Sequence, residues 1–184
     1  MKDTRETLSS LTVSLHWIIA VFFICLLSVG FYMTNYNAFA LYPIHKSIGM
    51  SLFILIIWRV IWRYVNGWPI PVNQYSPLER FFAKLVHWLL IIGIIVMPIS
   101  GMLMSAGSGH GLNLFGLELF PANLDATGKV IPISASLGEL GENIHGAVAN
   151  IMVAAISLHI LGALKHHIID KDGTLRRMLG KKIQ

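Results

Sequence analysis

Eight histidines are spread through a chain of 184 residues, of which 55% are hydrophobic and only 12% charged. An ionisable ring is costly in so apolar a setting, and each is a functional candidate for that reason. His45 and His145 stand near the start of two apolar segments, while His16 and His159 stand near the opposite end of two such segments. His159 follows His145 by fourteen residues, close to four helical turns and about 21 Å of rise, so one helix presents both rings on one face. The four histidines thus form two layers, His45 with His145 and His16 with His159, and each layer draws on two different helices. A six-coordinate haem iron takes one neutral ring nitrogen on each axial side, so the pattern calls for two haem b groups with these four residues as iron ligands. Gly146, Ala147, Ala149, Ala154, Ala155, Ser157, Gly162 and Ala163 leave the same helix thin enough for a flat macrocycle, or another helix, to lie against it. The plainer alternative, histidines that hydrogen-bond neighbouring helices, must account for two matched depths at once.

Other side chains fall around these layers. His87 lies close in depth to His16 and His159, and by spacing it could replace either. Arg59 follows His45 by fourteen residues, level with the inner pair, with Arg63 one turn beyond. Arginine binds carboxylates in a two-pronged fashion, so both suit haem propionates, and both equally suit anchoring a helix end. Lys46, beside His45, could serve an outer propionate or mark the interface. His166 and His167, at the inner end, could pass protons or simply complete a basic helix terminus with Lys165. His110 falls in a glycine-rich stretch and reads as solvated. No residue stands out as catalytic in its own right.

These residues need membrane-spanning helices to hold them. A span takes about 20 mainly apolar residues, and helices are expected at about 11–33, 44–64, 80–104 and 142–168. The second is the weakest, with twelve residues between Lys46 and Arg59, but long basic side chains reach back to the interface. Pro98 and the glycines after it suggest that the third helix ends near Met104. Residues 105–141 form an outer loop, and 170–184 a short helix or tail that Asp172 or Thr174 could cap. The fold class is therefore an all-α integral membrane protein, a single four-helix bundle across residues 1–184. So few charges exclude a soluble domain and a disordered chain, and 14 basic against 9 acidic residues argue against nucleic acid as a partner. Cys25, the single cysteine, excludes an internal disulfide and a thiolate metal cluster.

With four spans both termini share a side. That side holds Lys2, Arg5, Arg59, Arg63, Arg80, Lys84, Lys165, Lys171, Arg176, Arg177, Lys181 and Lys182, leaving Lys46 and Lys129 opposite. The positive-inside rule makes it cytoplasmic. A cleaved secretory signal is disfavoured, since the first apolar run has 23 residues where a signal has about 7–15.

The chain resembles the bacterial cytochrome b561 family of di-haem membrane proteins over nearly its whole length. The resemblance rests on "LHW" at 15–17, "IHKSIGMSLFILIIWRVIWR" at 44–63, "KLVHWLL" at 84–90, "MPISGMLMSAGSG" at 97–109, "NIHGAVAN" at 143–150 and "LHILGALKHHIIDKDGTLRRML" at 158–179. It implies that His16, His45, His145 and His159 are the axial ligands, so that His87 is not. It also implies a place in the bacterial inner membrane among lipid, and a kinship with superoxide-oxidising members that reduce ubiquinone, with His166 close to the quinone. On that reading superoxide, or another periplasmic donor, is oxidised outside. His166, His167, Asp170 or Asp172 relay protons to ubiquinone inside. The alternative is a cytochrome b membrane anchor that docks a partner dehydrogenase on the loop 105–141 and passes its electrons to the quinone pool. The absence of an obvious inverted repeat counts against a haem-free transporter.

Overall fold

A computed structural model describes residues 3–183. Lys2, counted above among the inner basic residues, and Gln184, the last residue of the expected tail, lie outside the described residues. Four long helices dominate: α1 (Ser10–Tyr36), α2 (Tyr42–Asn66), α3 (Pro77–Gly107) and α4 (Ala135–Ile168), with a short α5 (Thr174–Met178) after them. All four long helices are long and apolar enough to cross a membrane.

Local chemistry sets their ends. Ser9 accepts from the Thr12 amide at the start of α1, and Asn37 closes that helix in the left-handed region at φ 52°. Pro43 lies in the first turn of α2 and Gly67 follows its end, while Ser76 and Glu79 form a reciprocal capping box on α3. Most of the expected ends move outward by one to three residues, and two of the differences share a structural cause. Helix α3 runs through Pro98 and on to Gly107 rather than stopping near Met104. Helix α4 begins at Ala135, where Ser134 caps it, and not near residue 142. The cause is backbone contact between the two: a Cβ on Gly141 would run into the backbone of Met104, and one on Gly107 into that of Gly138. The glycines that looked like helix breakers are what let α3 and α4 extend together beyond the apolar zone.

The outer connection is correspondingly shorter, and it contains an antiparallel hairpin of β1 (Leu112–Leu114) and β2 (Leu117–Phe120). Ser47 of α2 pins it, donating to the Asn113 carbonyl at 3.2 Å and accepting from the Phe115 amide at 3.0 Å.

The buried core is a slab across the middle of the bundle: Ile19 and Phe23 from α1, Leu52 and Ile56 from α2, Met97 from α3 and Met152 from α4. Met152 is fully buried and lies midway between His145 and His159 along α4. Outward-facing residues such as Val21, Phe22, Ile54, Leu158 and Leu161 stay exposed, as a surface that meets lipid does.

Both termini and the α2–α3 connection meet at one end. The buried Arg177 guanidinium donates to the carbonyls of Arg5 and Ile70, each at 2.9 Å. Trp17 Nε1 donates to the Met178 carbonyl at 2.8 Å. Asp3 pairs with Arg63 at 3.1 Å and accepts from the Ser9 amide and the Thr12 hydroxyl. Burial raises the Asp3 pKa, but the hydrogen bonds from Ser9 and Thr12 and the charge of Arg63 outweigh it and hold the carboxyl below its ordinary value. A carboxyl depressed on folding contributes stability that is present above about pH 4 and lost as pH falls through the lowered folded value. Thermal unfolding in detergent is therefore expected to show acid weakening below about pH 4, which Asp3→Asn flattens while costing about 1–2 kcal/mol at neutral pH. An unchanged acid profile in that variant would remove Asp3 as its source.

Candidate functional site

In the outer layer the rings of His45 (α2) and His145 (α4) meet edge-on with centroids 6.5 Å apart. His145 Nδ1 lies 2.9 Å from the Met97 carbonyl, to which it donates, and 3.1 Å from Ser100 Oγ, which itself donates to that carbonyl. With the Nδ1 proton committed, Nε2 keeps the lone pair, the arrangement a metal-binding histidine needs. The "PISG" stretch thus builds the seat of His145, and Gly101 completes it: a Cβ there would come within 3.1 Å of His145 Cε1. His45 Nδ1 is buried with no partner among the described residues. Lys46 Nζ donates to Ser105 Oγ at 3.1 Å, beside the layer.

In the inner layer His16 (α1) and His159 (α4) stand 6.2 Å apart. Arg59 Nη2 lies 3.2 Å from His16 Nδ1. Arg63 is committed to Asp3 and to the Gly67 carbonyl, so of the two arginines Arg59 is the one that faces the layer. His87 (α3) lies 5.2 Å from His159, and its Nδ1 donates to the Ala83 carbonyl at 2.6 Å.

These separations bear on what the layers can hold. A metal–imidazole bond of about 2 Å on each side, plus about 1 Å from each ring nitrogen to its centroid, puts two axial rings about 6 Å apart. The pairs at 6.5 and 6.2 Å fit that span. The His87–His159 pair is about 1 Å short of it, so His87 packs on the flank of His159. Gly49 and Gly146, close to the outer histidines in sequence, have nothing within 4 Å of where a Cβ would lie. The donor sets, their spacing, the orphaned ring nitrogen of His45 and this open space all suit a porphyrin.

The inner end carries a second polar cluster. His166 Nδ1 is 3.0 Å from Asp170 Oδ2 and 3.0 Å from Asp172 Oδ2. Tyr75, from the α2–α3 connection, donates to Asp172 Oδ2 at 2.7 Å, and Lys165 bridges Asp170 and Glu79. His167 and His110 are exposed. Sequence reading alone did not find Ser100, Gly101 or Tyr75, because each acts across a contact between distant segments; the "PISG" segment at 98–101, one of the stretches that carry the family resemblance, was the one hint.

Residues 7–181 match the family described as prokaryotic cytochrome b561. The chain belongs to that family. Cytochrome b561 homolog 2 of Escherichia coli K12 is 32% identical over 97% of this chain and 94% of its own. The probable superoxide oxidase CybB of Yersinia pestis is 30% identical over 95% of this chain and 96% of its own. Cytochrome b561 homolog 1 of E. coli K12 is 26% identical over 95% and 97%. As a cytochrome b561 the chain is a multi-pass bacterial membrane protein of transmembrane electron transfer, and its family implies b-type haem.

Proposed function

We propose that this cytochrome b561 holds two haems, one between His45 and His145 and one between His16 and His159, and carries electrons from superoxide at the periplasmic face to ubiquinone at the cytoplasmic end. The observation that carries the reading is the pair of imidazole couples, each spaced for one iron, at opposite ends of a dry core. Bound haems would supply one-electron redox chemistry, and two imidazoles committed to each would suit relay rather than oxygen binding. The protein residues do the rest. Met97 and Ser100 hold the His145 tautomer, the slab around Met152 excludes water between the layers, and Arg59, beside His16, would offer its guanidinium to an anionic partner such as a propionate. The basic cluster at the end shared by both termini supports a cytoplasmic placement of that end in the inner membrane. Two superoxide anions each yield one electron and leave as dioxygen, while one ubiquinone gains two electrons and two protons.

Superoxide as donor is drawn from the Yersinia relative. On the outer side Lys46 and Lys129 are outnumbered by Glu118, Asp125, Glu139 and Glu142, so steering of an anion has to be local, and Lys46 beside the outer layer is the cation placed for it. The test mixes purified protein with a superoxide source and follows the haem spectrum before and after adding ubiquinone. Haem should become reduced, then re-oxidise when quinone is added, and superoxide dismutase should abolish the first step. No superoxide-dependent reduction sinks the donor assignment.

The outer hairpin favours a second reading, since Leu117, Leu119 and Phe120 of β2 are all exposed. A partner dehydrogenase docked there would deliver the electrons instead, and would co-purify as a periplasmic subunit.

A further inference from the structure

We propose that Asp172, backed by Tyr75, is the positioning residue that fixes His166 in the tautomer able to pass protons to the quinone. This rests on the quinone-reducing reading above and names the device that would serve it. Three donors converge on one carboxylate that is only 5% exposed. The Thr174 amide takes Oδ1 at 2.8 Å, while the Tyr75 hydroxyl at 2.7 Å and His166 Nδ1 at 3.0 Å share Oδ2. Gly173, rather than the expected Asp172 or Thr174, holds the cap position of α5, and the bond from the Thr174 amide accounts for Oδ1 alone, while the second oxygen faces the histidine.

A carboxylate accepting three hydrogen bonds has no proton to give. Burial raises the Asp172 pKa, but the hydrogen bonds from Thr174 and Tyr75 and the proximity of His166 hold it below the ordinary value. His166 must therefore present its N–H at Nδ1, which leaves the lone pair on Nε2. The same logic holds a catalytic imidazole in its working tautomer in the serine proteases. Nε2 can take a proton from the cytoplasm and release it to a quinone oxygen, twice per ubiquinone, matching the two electrons that arrive through the inner layer. While the ring is protonated, both neighbouring carboxylates face its charge. The groups around His166 are Asp170, Asp172, Tyr75 and Lys165, and of the two acids Asp170 is already paired with the Lys165 ammonium at 2.8 Å, leaving Asp172 to orient the ring.

The experiment uses the purified haem-loaded protein, chemically reduced, mixed rapidly with a short-chain ubiquinone. Asp172→Asn should slow the limiting rate of haem re-oxidation about tenfold or more, with the half-saturating quinone concentration unchanged and a larger solvent deuterium isotope effect. Asp172→Glu should restore part of the rate, and Tyr75→Phe, which leaves the Thr174 contact to Oδ1 intact, should cost about threefold. A wild-type rate or an unchanged isotope effect in Asp172→Asn overturns the proposal, as does a loss confined to half-saturation. If Asp172→Asn does not fold, Tyr75→Phe decides alone, and a wild-type rate there overturns it. Wild-type protein that ubiquinone cannot re-oxidise would overturn the quinone reading and this inference together, whereas a re-oxidised wild type with indifferent variants removes the inference only.

Discussion

On the two-haem reading proposed above, replacing His145 with alanine is expected to lower haem from two per chain to about one, and His159→Ala to do the same at the other end. The two losses should be separable because the layers share no side chain and a fully buried methionine, Met152, stands between them on α4. An iron that keeps one imidazole of two loses low-spin coordination and most of its retention, while the other layer keeps both ligands. Haem quantification by the pyridine method, with spectra of the haem that remains, reads the outcome. His16→Ala adds a sharper contrast. His87 lies on the flank of His159 rather than across from it, so it is not expected to rescue the inner haem. Unchanged haem in either single variant would contradict the ligand assignment.

The second large effect is expected at a residue with no side chain. Gly101→Ala should weaken the outer haem, and Gly101→Val should weaken it more, by about 10- to 100-fold in affinity. The added Cβ would sit 3.1 Å from His145 Cε1 and 3.3 Å from Nδ1. The ring could retreat only by giving up the Met97 carbonyl that sets its tautomer. Alanine favours the helix over glycine by about 1 kcal/mol, so a loss in Gly101→Ala cannot be blamed on a weaker α3. Haem loading at limiting haem supply and the midpoint potential of the outer haem are the measurements. Ser100→Ala should do less, since the Met97 carbonyl still accepts from Nδ1. Equal loading in the glycine series would show that the seat is looser than the contacts imply.

The spans and the two histidine depths were legible in the sequence because both are periodicities along one helix. Apolar runs and fourteen-residue spacings carry that information without any knowledge of neighbours. The ends of α3 and α4 were not legible, because Gly107, Gly138 and Gly141 act there as contact residues between two backbones, and glycine in a sequence reads first as a breaker. The seat of His145 was hidden for the same reason: Met97, Ser100 and Gly101 matter only once α4 lies against α3. Arg59 and Arg63 look interchangeable by spacing, and only the fold of the N-terminal residues shows Arg63 taken by Asp3. The His166 cluster needs Tyr75 from a connection some ninety residues earlier, a distance no local pattern spans.

The slab of Ile19, Phe23, Leu52, Ile56, Met97 and Met152 has an electrical consequence. Oily side chains conduct no protons and have a low dielectric constant, so the voltage across a bilayer drops through an apolar slab of this kind. An electron passing from one level to the other would therefore do work against, or draw work from, the resting field, worth about 2.3 kcal/mol per 100 mV for a full crossing. With a haem at each level, as proposed, the bundle would act as a charged capacitor with a redox plate at either face, and its turnover would be tied to how energised the cell is.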